Sequence, residues 1–369
     1  MSTIYLHAGT PKTGTTAIQT FCAENRKVLK EQGVCYPNLG FRFPGIGVNR
    51  NGHFLVRKET DDQKKRLYEQ EDANRQKGFA RIEKLLEQYP NVVLSDEQYW
   101  NNKELTAKKL KEYKEIFHQM GADTKLIVYL RRQDLLIQSY WAQQVKEGMT
   151  LSFQEYIQSG KYKYFKLDYY KRLKTFADAL GKENIIVRVY EKQQYYGEKP
   201  SILADFLHIF GLELTDEYKD PERVVNTSLE GMCLELKRIL NHMPVYKTKM
   251  NFLVGYLRDV QEERVGKTGY TKSKYFSRQE QADFMEQYEE GNAAIAREYL
   301  GREDGRLFYD PVLAEDTVAT EHSEKEMILI CGGIIEKQQK IIEEQNHQLR
   351  MLHAAAHPFQ KIRSCLSRR

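Results

Sequence analysis

In HAGTPKTGTTAIQ, residues 7 to 19, Gly9 and Gly14 stand five apart and Thr15 and Thr16 follow directly. That is the outline of G-x-x-x-x-G-K-[ST], a loop whose backbone N–H groups cradle phosphates. The lysine, however, is displaced. Lys12 comes two residues before the second glycine instead of just after it. A glycine-rich turn capped by a helix N-terminus binds an anion through partial positive charge. Lys12 adds a full charge at the mouth, and Thr13, Thr15 and Thr16 add hydroxyl donors. The set suits a terminal phosphate or sulfate. The missing lysine after Gly14 counts against the phosphates of ATP.

A second segment supplies a second anion cradle. In KLIVYLRRQDLLIQSYWAQQVKEG a strand ends at Arg131, and Ser139 follows eight residues later. Arg131 falls at the carboxyl end of the strand, where open α/β sheets bind ligands. Ser139, two turns into the next helix, reaches back towards the same place. An arginine with a hydroxyl suits a separate phosphate. A nucleotide with two anionic ends needs two such cradles.

These segments carry a resemblance. PKTGTT, Pro11 to Thr16, resembles the 5′-phosphosulfate loop of sulfotransferases that use 3′-phosphoadenosine-5′-phosphosulfate (PAPS). Arg131 and Ser139 look like the 3′-phosphate site of that family. VVLSDE, the LRRQ…SYWAQQVKEG run and FSRQEQADFMEQYEEGNAAIAREYL extend the likeness to bacterial carbohydrate-type members, over roughly Met1 to Leu300. The resemblance implies a P-loop-like α/β fold and PAPS as sulfuryl donor. It implies Thr13, Gly14, Thr15 and Thr16 around the phosphosulfate, and Lys12 as the catalytic lysine. It also implies a hydroxyl on a glycan or lipid-linked sugar as acceptor. Sulfuryl transfer is mainly in-line positioning and neutralisation of the leaving group, so no metal is required if lysine, amides and threonines do this.

The acceptor hydroxyl must lose a proton, so a general base is expected. His53, in NRNGHFLV, is the first candidate, because bacterial relatives often place a histidine in this region. Glu97, in LSDEQYW, is the second, and its plainer reading is an acid at a helix start. Asp96 is less favoured, and His7 reads as a buried, hydrogen-bonded strand-end histidine. Arg264, Gly266 and Gly269 partly match the R-x-G-x-x-G stretch near the 3′-phosphate of cytosolic members. A surface turn explains them as well. The tyrosines of KYKYFKLDYY, Lys161 to Tyr170, could stack on sugars or pack a helix.

The positioning elements follow from apolar patterning. Ile4–Leu6, Asn91–Ser95, Lys125–Leu130 and Asn184–Tyr190 read as strands, and Thr16–Glu31, Asp134–Lys146, Ser201–Phe210, Ser228–Asn241 and Ser277–Leu300 as helices. Alternation of the two predicts a parallel sheet covered on both faces. Residues 36 to 60, rich in Gly, Pro, Asn and Arg, form a long loop of the kind that is usually functional. The division expected is a sulfotransferase domain over 1–305, a linker over 306–323, and a C-terminal helix and basic tail over 324–369. In that last helix Ile328, Ile335, Ile342 and Leu349 recur at heptad spacing, a weak coiled-coil seam open to self-association or surface contact with a membrane.

Composition bounds the rest. The chain has 369 residues, 41% hydrophobic and 30% charged, so a packed core is expected. A net charge of +5 calls for no nucleic-acid partner, and the basic tail accounts for the excess. Five cysteines without C-x-x-C spacing fit a reducing, cytoplasmic setting. Two other functions stay open from the residues: a kinase or ATPase using ATP and magnesium, with VVLSDE supplying the acid, and a non-catalytic nucleotide-binding scaffold.

Overall fold

The computed structural model of the chain describes residues 2–219, 229–244, 250–268, 275–310 and 324–356. Strands β1 (Ser2–His7), β2 (Val34–Cys35), β3 (Asn91–Ser95), β4 (Ala122–Leu130) and β5 (Ile185–Val189) form one parallel sheet in the order β2-β3-β1-β4-β5. The fold is therefore the α/β, P-loop-like parallel sheet flanked by helices that the sequence predicts, with a helical C-terminal region. The edge strand β2 escapes sequence reading because only Val34 and Cys35 pair, with Asn91 and Val92.

Helices α1 (Thr15–Glu24), α2 (Arg26–Glu31) and α9 (Ile202–His208) cover one face. Ile18, Phe21, Leu29, Leu203 and Phe206 close over Tyr5, Val93, Ile127 and Tyr129. Helices α5 (Ala107–Gln119) and α8 (Tyr169–Leu180) pack on β4 at the other. Helix α3 (Tyr68–Leu86) lies beside β3, while α4 (Gln98–Asn101) and α6 (Gln133–Lys146) start just beyond the ends of β3 and β4. The expected single helix over Thr16–Glu31 is broken at Asn25. Its buried amide donates to the Phe21 and Lys219 carbonyls (both 2.9 Å) and accepts from the Lys219 N–H (2.7 Å). A segment 194 residues away thus interrupts a locally helical run.

The chain forms two compact units, each assembled from separate segments. One takes Met1–Tyr140, Tyr156–Val225 and Phe276–Asp316; the other takes Trp141–Glu155, Asn226–Tyr275 and Thr317–Arg369. In the second, helix Glu324–Ala356 packs on helix Met250–Thr268, with Lys337 Nζ 3.0 Å from Asp259 and 3.4 Å from Glu263. That long-range packing, which no local signal announces, joins the C-terminal helix to the middle of the chain. Of the expected linker, 311–323 lies outside the described residues, as does the tail from 357. Among the described residues no helix is long and apolar enough to cross a membrane.

Candidate active site

Strand β1 lies between β3 and β4, so the chain leaves it where the sheet order reverses. Such a switch point opens a crevice at the strands' carboxyl ends. His7, Ser95 and Leu130 end the three strands, and the two sequence segments singled out for anions begin just beyond β1 and β4.

The loop between β1 and α1 is shaped by two left-handed residues. Lys12 has φ 66° and Gly14 has φ 72°. The Gly14 carbonyl accepts the first helical bond of α1, from Ile18 N–H at 3.1 Å. Thr10 Oγ1 donates to the Tyr129 carbonyl at 2.9 Å, tying the loop to β4, and Thr13 Oγ1 donates to the Thr10 carbonyl at 2.6 Å. Gly9 is obligatory: a Cβ there would stand 2.2 Å from Thr15 Oγ1. Thr15 is buried, and its Oγ1 has no hydrogen-bond partner among the described residues. An orphaned buried hydroxyl in a glycine loop fits an anion supplied by a ligand. Thr16 is exposed, and Lys12 is half-buried.

Arg131 follows β4 and reaches the same loop. Its Nη1 donates to the Lys12 carbonyl at 3.0 Å, and its guanidinium lies 5.6 Å from the Tyr190 ring centroid. Tyr169 Oη donates to the Arg131 carbonyl at 2.7 Å, fixing the backbone. Among the described residues no carboxylate comes within ion-pair distance of Arg131, and burial lowers its pKa from the ordinary arginine value. Its neighbour differs. Arg132 is clamped to Asp134 by bonds of 2.7 and 3.0 Å. Of two adjacent arginines, one is paired with a carboxylate and the other bonds the Lys12 carbonyl. Ser139 sits half-buried on α6, two turns after Arg131, with no hydrogen bond to its hydroxyl among the described residues.

The segment over residues 36 to 60 contributes the third part. It is stitched to β3 and α4: Asn51 Nδ2 donates to the Val93 carbonyl (2.9 Å), Ser95 N–H to Asn51 Oδ1 (2.8 Å) and Tyr99 Oη to the Gly52 carbonyl (2.8 Å). This brings Arg50 and His53 onto Asp96. Arg50 grips both carboxylate oxygens, at 2.7 and 3.1 Å, and His53 Nδ1 lies 2.8 Å from Oδ2. Burial would raise the Asp96 carboxyl, but the bonds and charges of His53 and Arg50 hold it below the usual carboxylate range. Asp96 is thus an anion, so His53 Nδ1 donates to it, which orients the imidazole ring. Phe43 packs edge-on to the imidazole, 5.3 Å between centroids.

Glu97 is half-buried at the start of α4, yet its side chain does not cap that helix. Burial raises its carboxyl, opposed by the charges of Arg50 and Lys12 and reinforced by Asp96. Lys12 and Glu97 therefore share one electrostatic neighbourhood. His7 is buried and bonded to Ser95 Oγ at 2.8 Å, with burial lowering its pKa to about 4, so it stays neutral. Sequence reasoning weighed Asp96 as a base and missed it as the carboxylate on which Arg50 and His53 converge. The available signal was an acid immediately after an apolar strand, facing an Arg-x-x-His turn.

Other candidates fall elsewhere. Tyr162 and Tyr169 are buried in packing, and Tyr170 bonds Glu298, so the tyrosine stretch offers mainly Tyr164 to solvent. Arg264 and Gly266 fall on helix Met250–Thr268, in the second unit; Gly269 lies outside the described residues.

No family model matches the chain, and no solved structure matches it. It is similar to a protein of Archaeoglobus fulgidus that bears the name "Uncharacterized protein", 30% identical over 228 residues. The match takes in 60% of this chain and 57% of that protein, so the chain spans less than two thirds of the relative's length.

Proposed function

We propose that the chain is a cytoplasmic sulfotransferase that moves a sulfuryl group from PAPS to a hydroxyl of a glycan or lipid-linked sugar. One observation carries the reading: Arg131, a guanidinium with no carboxylate partner among the described residues, bonds the backbone of Lys12 at 3.0 Å. Two anion-seeking segments, the β1 loop and the residue after β4, thus lie side by side, which supports a nucleotide with a 5′-phosphosulfate and a 3′-phosphate as ligand. The orphaned Thr15 hydroxyl and the space kept by Gly9 support the loop's half of it.

In this reading the acceptor O–H gives its proton to His53 Nε2, oriented by Asp96, as its oxygen attacks sulfur in line. The bond from sulfur to the bridging phosphate oxygen breaks, and the Lys12 ammonium neutralises the charge gathering there. The products are the sulfate ester and adenosine 3′,5′-bisphosphate. Glu97, close enough to feel Lys12, is the second candidate for the proton. The kinase alternative would give Asp96 to magnesium. Its oxygens already accept from Arg50, His53 and the Gln98 N–H (2.7 Å), which weighs for the sulfuryl reading. Cys22, Cys35 and Cys331 are free thiols among the described residues, in keeping with a reducing compartment.

Calorimetric titration with adenosine 3′,5′-bisphosphate, beside ATP with and without magnesium, is the test. Tighter, metal-independent binding of the bisphosphate is expected. Preference for ATP with magnesium would transfer the protein to the kinase class. Bisphosphate binding without transfer to any hydroxyl panel would leave a nucleotide-binding scaffold.

A further inference from the structure

Helix Glu324–Ala356 carries apolar residues on two opposed faces, and only one of them is used. Ile330 is fully buried, Gly333 sits against Val260, and Lys337 pairs with Asp259 and Glu263, so this face lies on its own compact unit. Two residues back from Ile330, roughly 200° around the helix, Ile328 is 69% exposed. The same face continues through Ile335 (66%), Ile342 (50%) and Leu349 (61%). From Gln338 to His353 every residue is exposed, a stretch that projects from the packed half. Sixteen residues of helix extend about 24 Å, and a lone helix of that length in water is marginal.

We propose that this face pairs with the same face of a second copy, as a parallel two-stranded coiled coil. Ile328, Ile335, Ile342 and Leu349 occupy the first seam position, where β-branched residues favour two strands. Cys331, Gln338, Gln345 and Leu352 occupy the second. In a parallel pair each layer meets itself, so glutamine faces glutamine; an antiparallel pair would set each glutamine against an isoleucine or leucine. The flanking positions Ile334, Gln339, Ile341, Asn346 and Gln348 carry no charge, so two copies approach without repulsion. The apolar residues at the seam and its flank, Ile328, Ile335, Ile341, Ile342, Leu349 and Leu352, expose on the order of 600 Å² per chain. With the exposed seam and flanking glutamines beside them, that approaches the roughly 800 Å² a standard stable interface takes from each partner. An anionic membrane is the poorer occupant. Between Gln338 and His353 Lys340 and Arg350 are balanced by Glu343 and Glu344, without the cationic excess such helices carry.

The inference is independent of the nucleotide reading. Sedimentation equilibrium of the full chain, from about 1 to about 100 micromolar, should show a dimer. Ile335→Lys with Ile342→Lys should give a monomer of unchanged melting temperature, whereas His347→Lys, on the opposite face, should leave the dimer intact. Gln345→Cys should cross-link two chains on mild oxidation, which reads the parallel seam without disrupting it. A wild-type chain that stays monomeric over that range overturns the proposal. So does a dimer that survives both isoleucine changes, or a monomer whose helix is captured by phosphatidylserine vesicles.

Discussion

The Arg131 guanidinium donates to the carbonyl of Lys12, the one residue of the β1–α1 loop, apart from Gly14, whose backbone is left-handed. The bond joins the end of β4 to the loop after β1. It holds the loop's shape, and in the proposed reading the remaining Arg131 N–H groups meet the 3′-phosphate.

Lys12 separates stability from turnover. A left-handed lysine costs about 1 kcal/mol relative to glycine, so Lys12→Gly should melt at or above the wild-type temperature. It should also lose about 100- to 1,000-fold in kcat while the bisphosphate Kd changes little. Equal losses in kcat and affinity, from steady-state kinetics and calorimetry, would remove the transition-state role.

Arg131→Ala should weaken adenosine 3′,5′-bisphosphate by at least about tenfold, the scale of a charge-assisted bond. Adenosine 5′-phosphosulfate, which lacks the 3′-phosphate, should bind nearly as before. If both nucleotides weaken alike, the arginine acts only by shaping the loop.

Gly9→Ala tests the room in the loop. Its Cβ would fall 2.2 Å from Thr15 Oγ1, so the loop must shift. Overpacking of this kind typically costs about 1–3 kcal/mol, and bisphosphate binding should be lost beyond what the melting temperature explains. Retained affinity would mean that Thr15 and the loop backbone do not meet the ligand.

Asp96→Asn strips the charge on which Arg50 and His53 converge. Breaking a buried pair in this way costs about 3–5 kcal/mol, measured by urea unfolding. His53→Asn should lower kcat more than Glu97→Gln does; the reverse order would pass the proton to Glu97. Because the Asp96 carboxyl lies lower in the folded than in the unfolded chain, its stabilisation is fully present above pH ~4 and is lost as pH falls through the folded value. Wild-type stability should therefore fall below about pH 4, and the Asn variant should show a shallower fall. Parallel slopes would deny Asp96 its depressed pKa.

Four strands, the glycine loop and the arginine after β4 were legible in the sequence because each is a local matter. An apolar run of five residues, a turn needing glycine and a strand end are written within a dozen neighbours. The parallel pairing also followed, since strands alternating with helices leave little else, but not the strand order. What the tertiary structure alone decided rests on partners far apart in the chain. Asn25 breaks a helix because Lys219 reaches its amide. The C-terminal helix belongs to a unit assembled from three separate segments, through Lys337 and Asp259. The cluster of Arg50, His53 and Asp96 spans 46 residues and exists because Asn51 and Tyr99 stitch an irregular loop to β3 and α4. Patterning reports which face of an element is buried. It does not report which distant side chain will meet a buried charge, because that is fixed only when the whole sheet and its loops close together.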